Sequence, residues 1–159
     1  MERESMDYDV VIIGGGPSGL ATAIKLAQIF KEKNLDKTIC LLEKSAEIGG
    51  HILSGNVFET TALDELIPDW KEKGAPLDVK VKRDSIKFLI NDKYSLPVPS
   101  FVMPTMQNHG NYILSLGNLC RWLAEQAETL GVDVFPGFPG AEIIVKDGKV
   151  NAVSYTHLT

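Results

Sequence analysis

Val10-Val11-Ile12-Ile13-Gly14-Gly15-Gly16-Pro17-Ser18-Gly19-Leu20 is the stretch whose reading decides the fold. An apolar run stops in glycines and a helical pattern begins at once, as where a buried strand turns sharply into a helix. The glycines fall as G-x-G-x-x-G at Gly14, Gly16 and Gly19. In a dinucleotide-binding unit the first glycine permits the tight turn. The second lets backbone approach a pyrophosphate, and the third lets helix pack close to strand. The first-turn N–H groups and the helix dipole then favour the ligand's negative charge. The competing reading is a glycine turn that holds no ligand.

Working outward, Tyr8 to Ile13 reads as a strand buried on both faces. The helix runs from Pro17 or Ser18 to about Lys33, with Leu20, Ala23, Ile24, Ala27 and Phe30 on one face. Pro17 is tolerated in the first turn because that N–H has no helical partner. Thr38 to Glu43 is the second strand, so the β-α-β unit demands a parallel pair and a right-handed crossover. Glu43 ends this strand at about the 20-residue spacing expected of the acidic partner of the glycines. A carboxylate there accepts both ribose hydroxyls and repels a 2′-phosphate, which points to FAD or NAD rather than NADP. The bland alternative is a solvated strand end.

Further on, Ile48 to Gly55 is a glycine-punctuated loop. A short helix is expected over Thr61 to Ile67, with Thr61 as N-cap and Pro68 ending it. Trp70 to Pro76 is a charged turn region. Val79 to Ile90 and Tyr94 to Val98 read as strands joined by Asn91-Asp92-Lys93. Pro97, Pro99 and Pro104 make the next segment irregular. A second clear helix spans about Leu116 to Leu130, striped by Leu116, Leu119, Cys120, Leu123, Ala127 and Leu130, with Gly131 suited to its C-terminus. Val132 to Phe135 is a strand like Thr38 to Glu43, and Pro136 to Gly140 turns the chain. Ala141 to Lys146 and Lys149 onward form a hairpin with a type I′ turn at Asp147-Gly148.

Bulk properties bound the function. The chain has 159 residues, 44% hydrophobic and 23% charged, with a net charge of −5. This is enough for one domain with a sizeable core, and it leaves no electrostatic footprint for nucleic acid. Cys40 and Cys120 belong to no C-x-x-C and sit in apolar segments, so they read as small buried hydrophobes in a reducing compartment. No apolar segment is long enough to span a bilayer, and the charged start Met1 to Asp7 is no signal peptide. A soluble or peripherally bound protein on the cytosolic side is expected.

Three further stretches carry a resemblance. They are Ile48-Gly49-Gly50-His51-Ile52-Leu53-Ser54-Gly55, the run Leu66 to Leu77 containing Asp69-Trp70-Lys71-Glu72-Lys73-Gly74-Ala75-Pro76, and Asn108-His109-Gly110-Asn111-Tyr112-Ile113. With the glycine motif and Leu42-Glu43-Lys44 they closely resemble the amino-terminal part of the electron transfer flavoprotein–ubiquinone oxidoreductase family, from about Tyr8 to Val153. The resemblance implies an α/β, Rossmann-like FAD-binding domain of the two-domain flavoprotein (glutathione-reductase) type, truncated, with an inserted β-rich region. Residues 8–60 would form the βαβ dinucleotide unit, 61–107 the insertion, and 108–153 the return to the FAD domain. The closing 154–159 does not continue the family pattern and reads as a candidate non-native tail.

The family implies electron flow from reduced electron transfer flavoprotein, through a [4Fe–4S] cluster and FAD, to ubiquinone at a membrane. It also implies a peripheral, monotopic position on the cytoplasmic face of a bacterial inner membrane or its mitochondrial equivalent, with Ile48 to Asp69 as the candidate membrane surface. Gly14, Gly16, Ser18 and Gly19 match its pyrophosphate loop, and Glu43 its ribose carboxylate, followed by Lys44. Gly50, His51, Ser54 and Gly55 match a loop lying towards the flavin. The cluster cysteines and quinone site would lie beyond residue 159, so a fragment is expected and no metal site is assigned here. No side chain is assigned as catalytic, because the redox work belongs to the isoalloxazine ring. His51 is a candidate for the cofactor region, His109 a weaker one, and Arg121 and Trp122 are assigned to surface packing. A plain NAD-dependent dehydrogenase and a non-enzymatic dinucleotide-binding module remain the alternatives.

Overall fold

A computed structural model of the chain describes residues 5–156. In chain order the elements are β1 (Val10–Ile13), α1 (Pro17–Glu32), β2 (Ile39–Glu43), β3 (Asn56–Phe58), α2 (Thr61–Leu66), β4 (Val79–Lys80), β5 (Ile86–Leu89) and β6 (Ser95–Val98). Two single 3₁₀ turns follow, at Ser100–Val102 and Pro104–Met106. Then come β7 (Tyr112–Leu114), α3 (Leu116–Thr129), β8 (Val132–Pro136), β9 (Gly140–Lys146) and β10 (Lys149–Tyr155).

The strands β1, β2 and β8 form a parallel sheet with β2 in the middle. Asp9 sets the register at its lower end. The carboxylate takes an ion pair from Lys37 Nζ at 2.6 Å and hydrogen bonds from the Thr38 N–H and hydroxyl. Successive side chains of β2 point to opposite faces. Ile39 and Leu41 join Leu20, Ala23 and Ile24 of α1 and Leu119, Leu123 and Ala127 of α3 in one core. Cys40 and Leu42 face the other way, towards the β9–β10 hairpin, and are also buried. Each layer thus arises from a periodicity visible in the chain.

The expected two-sided burial of the first strand does not occur. Val11 and Ile13 are 45% and 53% exposed. β1 is an edge of the sheet, and its second face opens onto two hollows. Val11 lines a groove of about 740 Å³ between sheet and hairpin. Ile13 lines a smaller cavity at the top of the strands. The hairpin turn itself is as expected: Asp147 and Gly148 have φ of 52° and 71°, the two positive values of a type I′ turn. Ser154 and Tyr155 lie inside β10, opposite Glu142 and Gly140. Residues 157–159, including His157, are outside the described residues.

Between the two halves of the parallel sheet the chain departs from expectation in several places. The long strand over Val79 to Ile90 is absent. Val81 turns into the core, its N–H donating to Asn111 O and its carbonyl accepting from Gly110 N–H. Between Val81 and Ile86 the run breaks into β4 and β5. β4 joins an antiparallel sheet of order β3-β7-β4, whereas β5 and β6 make a separate hairpin. β3 and β7 are too short for any alternation to show in the sequence. Thr60, not Thr61, precedes α2, and neither hydroxyl caps it. Both donate instead to acidic side chains, Thr60 to Asp64 and Thr61 to Glu59.

The run Asp69 to Leu77 proves to be a packing plug. Trp70 is 4% exposed, donates Nε1–H to Asp64 Oδ1 at 2.6 Å and meets Tyr112 edge-on. Trp122 is not at the surface, as assigned from sequence, but 7% exposed, with Nε1–H donating to Lys73 O at 3.0 Å. An indole buries readily once its single donor is satisfied, and Lys73 O supplies that partner from 49 residues away.

Candidate dinucleotide-binding site

The site is built at the carboxyl ends of β1, β2 and β8, where open parallel sheets bind their ligands. Gly14 has φ of +110°, a value that a side chain would strain, and it turns β1 into α1. At Gly19 a Cβ would run into the carbonyl oxygen of Gly14. That glycine therefore serves close packing of helix on turn. At Gly16 the result is opposite. Its backbone is extended, with φ −80° and ψ 177°, and an added Cβ would meet nothing within 4 Å. The second glycine faces open space of the kind a pyrophosphate would fill.

The N-terminus of α1 is bare. No side chain caps it, Pro17 occupies its first positions and no acidic residue stands in its first turn. The Ser18 and Gly19 N–H groups have no intrahelical acceptor upstream, so the positive end of the helix dipole stands beside the open space. These are the conditions for an anion at a helix N-terminus.

Glu43 reaches across from β2. Its Oε2 accepts from the Gly15 N–H at 2.7 Å and its Oε1 from the Ser45 N–H at 2.8 Å. The carboxylate therefore braces the glycine turn from the neighbouring strand. Each oxygen keeps a lone pair for a further donor, which suits ribose hydroxyls. A cavity of about 190 Å³ lies beside it, lined by Ile13, Gly14, Leu42, Glu43, Lys44, Pro139 and Gly140. The Gly137 and Phe138 N–H groups, donating to Ser45 O and Glu43 O, hold its far wall.

The structure thus brings Gly14, Glu43 and Lys44 to one cavity, beside Gly16, Ser18 and Gly19. Gly50, His51 and Ser54 do not line it and stand exposed in the following loop. His109 is exposed in a turn before β7. Reasoning from sequence missed Pro139 and Gly140, whose place depends on β8 lying beside β2. It also missed Asn56, whose Oδ1 is, among the described residues, the buried side-chain polar atom that lacks a hydrogen-bond partner. Cys40 and Cys120 are free and buried, and burial pushes each thiol up to about 11. Both stay protonated at neutral pH and are poor nucleophiles. Among the described residues no three His, Cys, Asp or Glu side chains gather as metal ligands.

The stretch Ile48 to Asp69, the expected membrane surface, is mixed: most of its residues are exposed, while three of its apolar side chains are buried in the core. Ile48, Leu63 and Ile67 are 7%, 4% and 3% exposed, because α1, α2 and α3 close over them. Leu53 and Val57 stand exposed, at 89% and 46%. Exposed apolar side chains also stand on β5, β6 and the 3₁₀ turns, where Phe88, Leu89, Leu96 and Phe101 are 64%, 73%, 56% and 80% exposed, and on the β9–β10 hairpin, where Ile143, Val145 and Val150 are 58%, 60% and 71% exposed. Among the described residues no helix is long and apolar enough to cross a membrane.

Parallel sheet, glycine turn and bracing carboxylate define a Rossmann-like α/β domain, and the NAD(P)-binding Rossmann-like domain family matches residues 12–69. Among solved structures the fold resembles a geranylgeranyl bacteriochlorophyll reductase-like protein from Thermoplasma acidophilum, with a TM-score of 0.69 and 26% identity over 94% of this chain and 35% of that one. A flavin-dependent brominase shares the fold at a TM-score of 0.63 and 16% identity, over 96% of this chain and 34% of that one.

Sequence relatives narrow the class further. The chain is 53% identical over 151 residues to the electron transfer flavoprotein–ubiquinone oxidoreductase of Pseudomonas aeruginosa, covering 94% of this chain and 27% of that protein. It is 48% identical over 155 residues to the mitochondrial one of Rattus norvegicus, covering 97% and 25%. The chain resembles the N-terminal, FAD-binding region of electron transfer flavoprotein–ubiquinone oxidoreductase. It spans about a quarter of the length of these relatives.

Proposed function

We propose that this chain forms the FAD-binding front of an oxidoreductase that passes electrons from reduced electron transfer flavoprotein to ubiquinone at a membrane. The observation that carries the FAD site is the open space at Gly16 beside the uncapped start of α1, with Glu43 one strand away. The near-complete match of this chain to enzymes of that name supports the particular reaction.

In this reading the residues bind and orient. Gly16, Ser18 and Gly19 would receive the pyrophosphate on backbone N–H groups, and Gly14, whose own N–H donates to Leu42 O, turns the chain towards it. Glu43 accepts the ribose hydroxyls and rejects a 2′-phosphate by charge, and Lys44 flanks it. Gly50, His51 and Ser54 extend along the same loop side of the cofactor. Bound FAD would supply the isoalloxazine ring that takes up and releases electrons. On this reading a [4Fe–4S] cluster and a quinone site would be held by residues other than those of this chain. A plain NAD dehydrogenase is disfavoured, because a long excursion from Ser45 to Ser115 separates β2 from the next helix–strand unit.

In this reading the β5–β6 lobe is a candidate membrane contact alongside Ile48–Asp69. Its exposed Phe88, Leu89, Leu96 and Phe101 form an apolar tip. Lys87 on β5 and Lys93 in the turn that follows it add positive charge to the same hairpin, with Asp92 beside Lys93. Apolar tip and lysines together suit an anionic lipid surface.

Gly16→Val tests the site. The extended backbone there suits any residue and a Cβ meets nothing within 4 Å, so the variant should fold normally yet lose FAD, measured by retained flavin absorbance in the full-length chain. Parental flavin retention would overturn the placement of the loop. A colourless parent that responds to NADH would overturn the choice of FAD.

A further inference from the structure

The loop from Ser45 to Gly50 lies between the glycine turn and α3, meeting the turn through the Ile48 side chain and α3 through the Gly49 backbone. Ile48 is buried against the turn: a Cβ built on Gly15 would sit 2.7 Å from Ile48 Cδ1. Next to it Gly49, with φ of +81°, faces the first turn of α3. A Cβ there would lie 2.5 Å from Gly117 O and 2.9 Å from Gly117 Cα. Loop and helix can approach this closely only because both positions are glycine.

One turn further along α3 stands Arg121. Its Nη1 donates to Ile48 O at 3.4 Å and its Nη2 to Asn118 Oδ1 at 2.5 Å. Glu47 Oε1 lies 3.8 Å from Nη1. One planar guanidinium therefore faces the loop carbonyl, the loop carboxylate and its own helix, a spread that a lysine ammonium cannot reproduce. The Arg121 side chain is 45% exposed, so its ion pair adds little to global stability. Its position matters more than its energy, because the carbonyl it holds belongs to the residue seated on the glycine turn.

We infer that Arg121 is a positioning residue: it clamps the Glu47–Gly50 loop onto α3 and, through Ile48, holds the glycine turn in the shape that receives the dinucleotide. Its assignment to surface packing is thereby replaced by a role in the binding site. The last step rests on the FAD reading above, whereas the clamp itself does not.

Amide hydrogen exchange on the ligand-free chain, with parent, Arg121→Ala and Arg121→Lys compared, reads the clamp directly. Arg121→Ala should speed exchange at Gly15, Gly16, Gly49 and Gly50 by about tenfold, as loss of roughly one charge-assisted hydrogen bond implies. Exchange in β2 and the core of α3 should stay parental. Arg121→Lys should fail to restore the glycine-turn amides. In the full-length chain loaded with FAD, Arg121→Ala should release flavin faster, and combining it with Ile48→Ala should add little further. Parental exchange in the glycine turn of Arg121→Ala overturns the inference, as do fully additive effects with Ile48→Ala. If the parent holds no FAD while the variant loosens the turn, the FAD reading fails and the clamp stands. If the parent holds FAD and the variant matches it in both exchange and release, the clamp fails and the FAD reading stands.

Discussion

β2 and β5 are built from similar letters and meet opposite fates. Ile39-Cys40-Leu41-Leu42 and Ile86-Lys87-Phe88-Leu89 are both short and apolar. Leu41 is fully buried, whereas Phe88 and Leu89 are 64% and 73% exposed. The difference lies outside the strands. β2 has a parallel neighbour on each side, two helices over one face and a hairpin near the other. β5 has one antiparallel partner, β6, and, among the described residues, no layer over its apolar side chains. Hydrophobicity says that a strand wants to leave water. It does not say whether protein or another apolar phase will take it.

The comparison can be broken at its strongest point first. Leu41→Ala should cost about 2–5 kcal/mol, the range for a fully buried leucine whose cavity the sheet cannot collapse. Denaturant unfolding would measure it, and a loss under 1 kcal/mol would mean that the core at β2 is not packed as described. Next in size, Glu43→Ala should weaken FAD binding by about 1.5–3 kcal/mol, since its ribose bonds would be charge-assisted. Flavin fluorescence titration of the full-length chain reads this. An unchanged affinity would reduce Glu43 to a brace for Gly15.

Phe88→Ser with Leu96→Ser should change stability by no more than about 0.5 kcal/mol, as for exposed positions generally. The same pair should sharply reduce co-sedimentation with anionic vesicles. If instead the double variant unfolds the protein, β5 is covered by protein after all and the contrast with β2 disappears.

The smallest effect concerns pH at the base of the sheet. The hydrogen bond from Lys37, then that from the Thr38 N–H, holds the Asp9 carboxyl below its usual 3.8, at about 2. The group is depressed in the folded state, so its contribution is complete above about pH 4 and is lost as pH falls towards 2. Asp9→Asn should flatten the acid limb of the stability curve in that window and leave the neutral range nearly unchanged. The β5–β6 hairpin has no such tie. Asn91 Oδ1, accepting from the Lys93 and Tyr94 N–H groups at 2.9 Å, closes its turn with neutral bonds.

What was legible in the chain follows a physical line. The glycine turn, α1, β2, α3, β8 and the Asp147-Gly148 hairpin were all readable, because each depends on backbone freedom or a periodicity contained within a dozen residues. Glu43 was readable for the same reason: it closes a β-α-β unit whose geometry is nearly invariant. Apart from the α2 cap, where Thr60 and Thr61 bond to nearby acidic side chains, the misses depend on partners far along the chain. β3 and β7 become strands only by pairing across 56 residues. The run from Val79 breaks between Val81 and Ile86, and the Val81 backbone bonds to Asn111 and Gly110. Trp122 is buried because Lys73 offers a carbonyl, and Arg121 turns to Ile48, 73 residues away.

Local chemistry was thus sufficient to define a strand, a tight turn and a helix with an anion-ready end, and to place a carboxylate beside them. Which apolar runs became core, which faced outward, and which distant arginine and glycine steady the turn were decided only in three dimensions. Burial and side-chain hydrogen bonding are pairwise properties, and no single segment carries both partners.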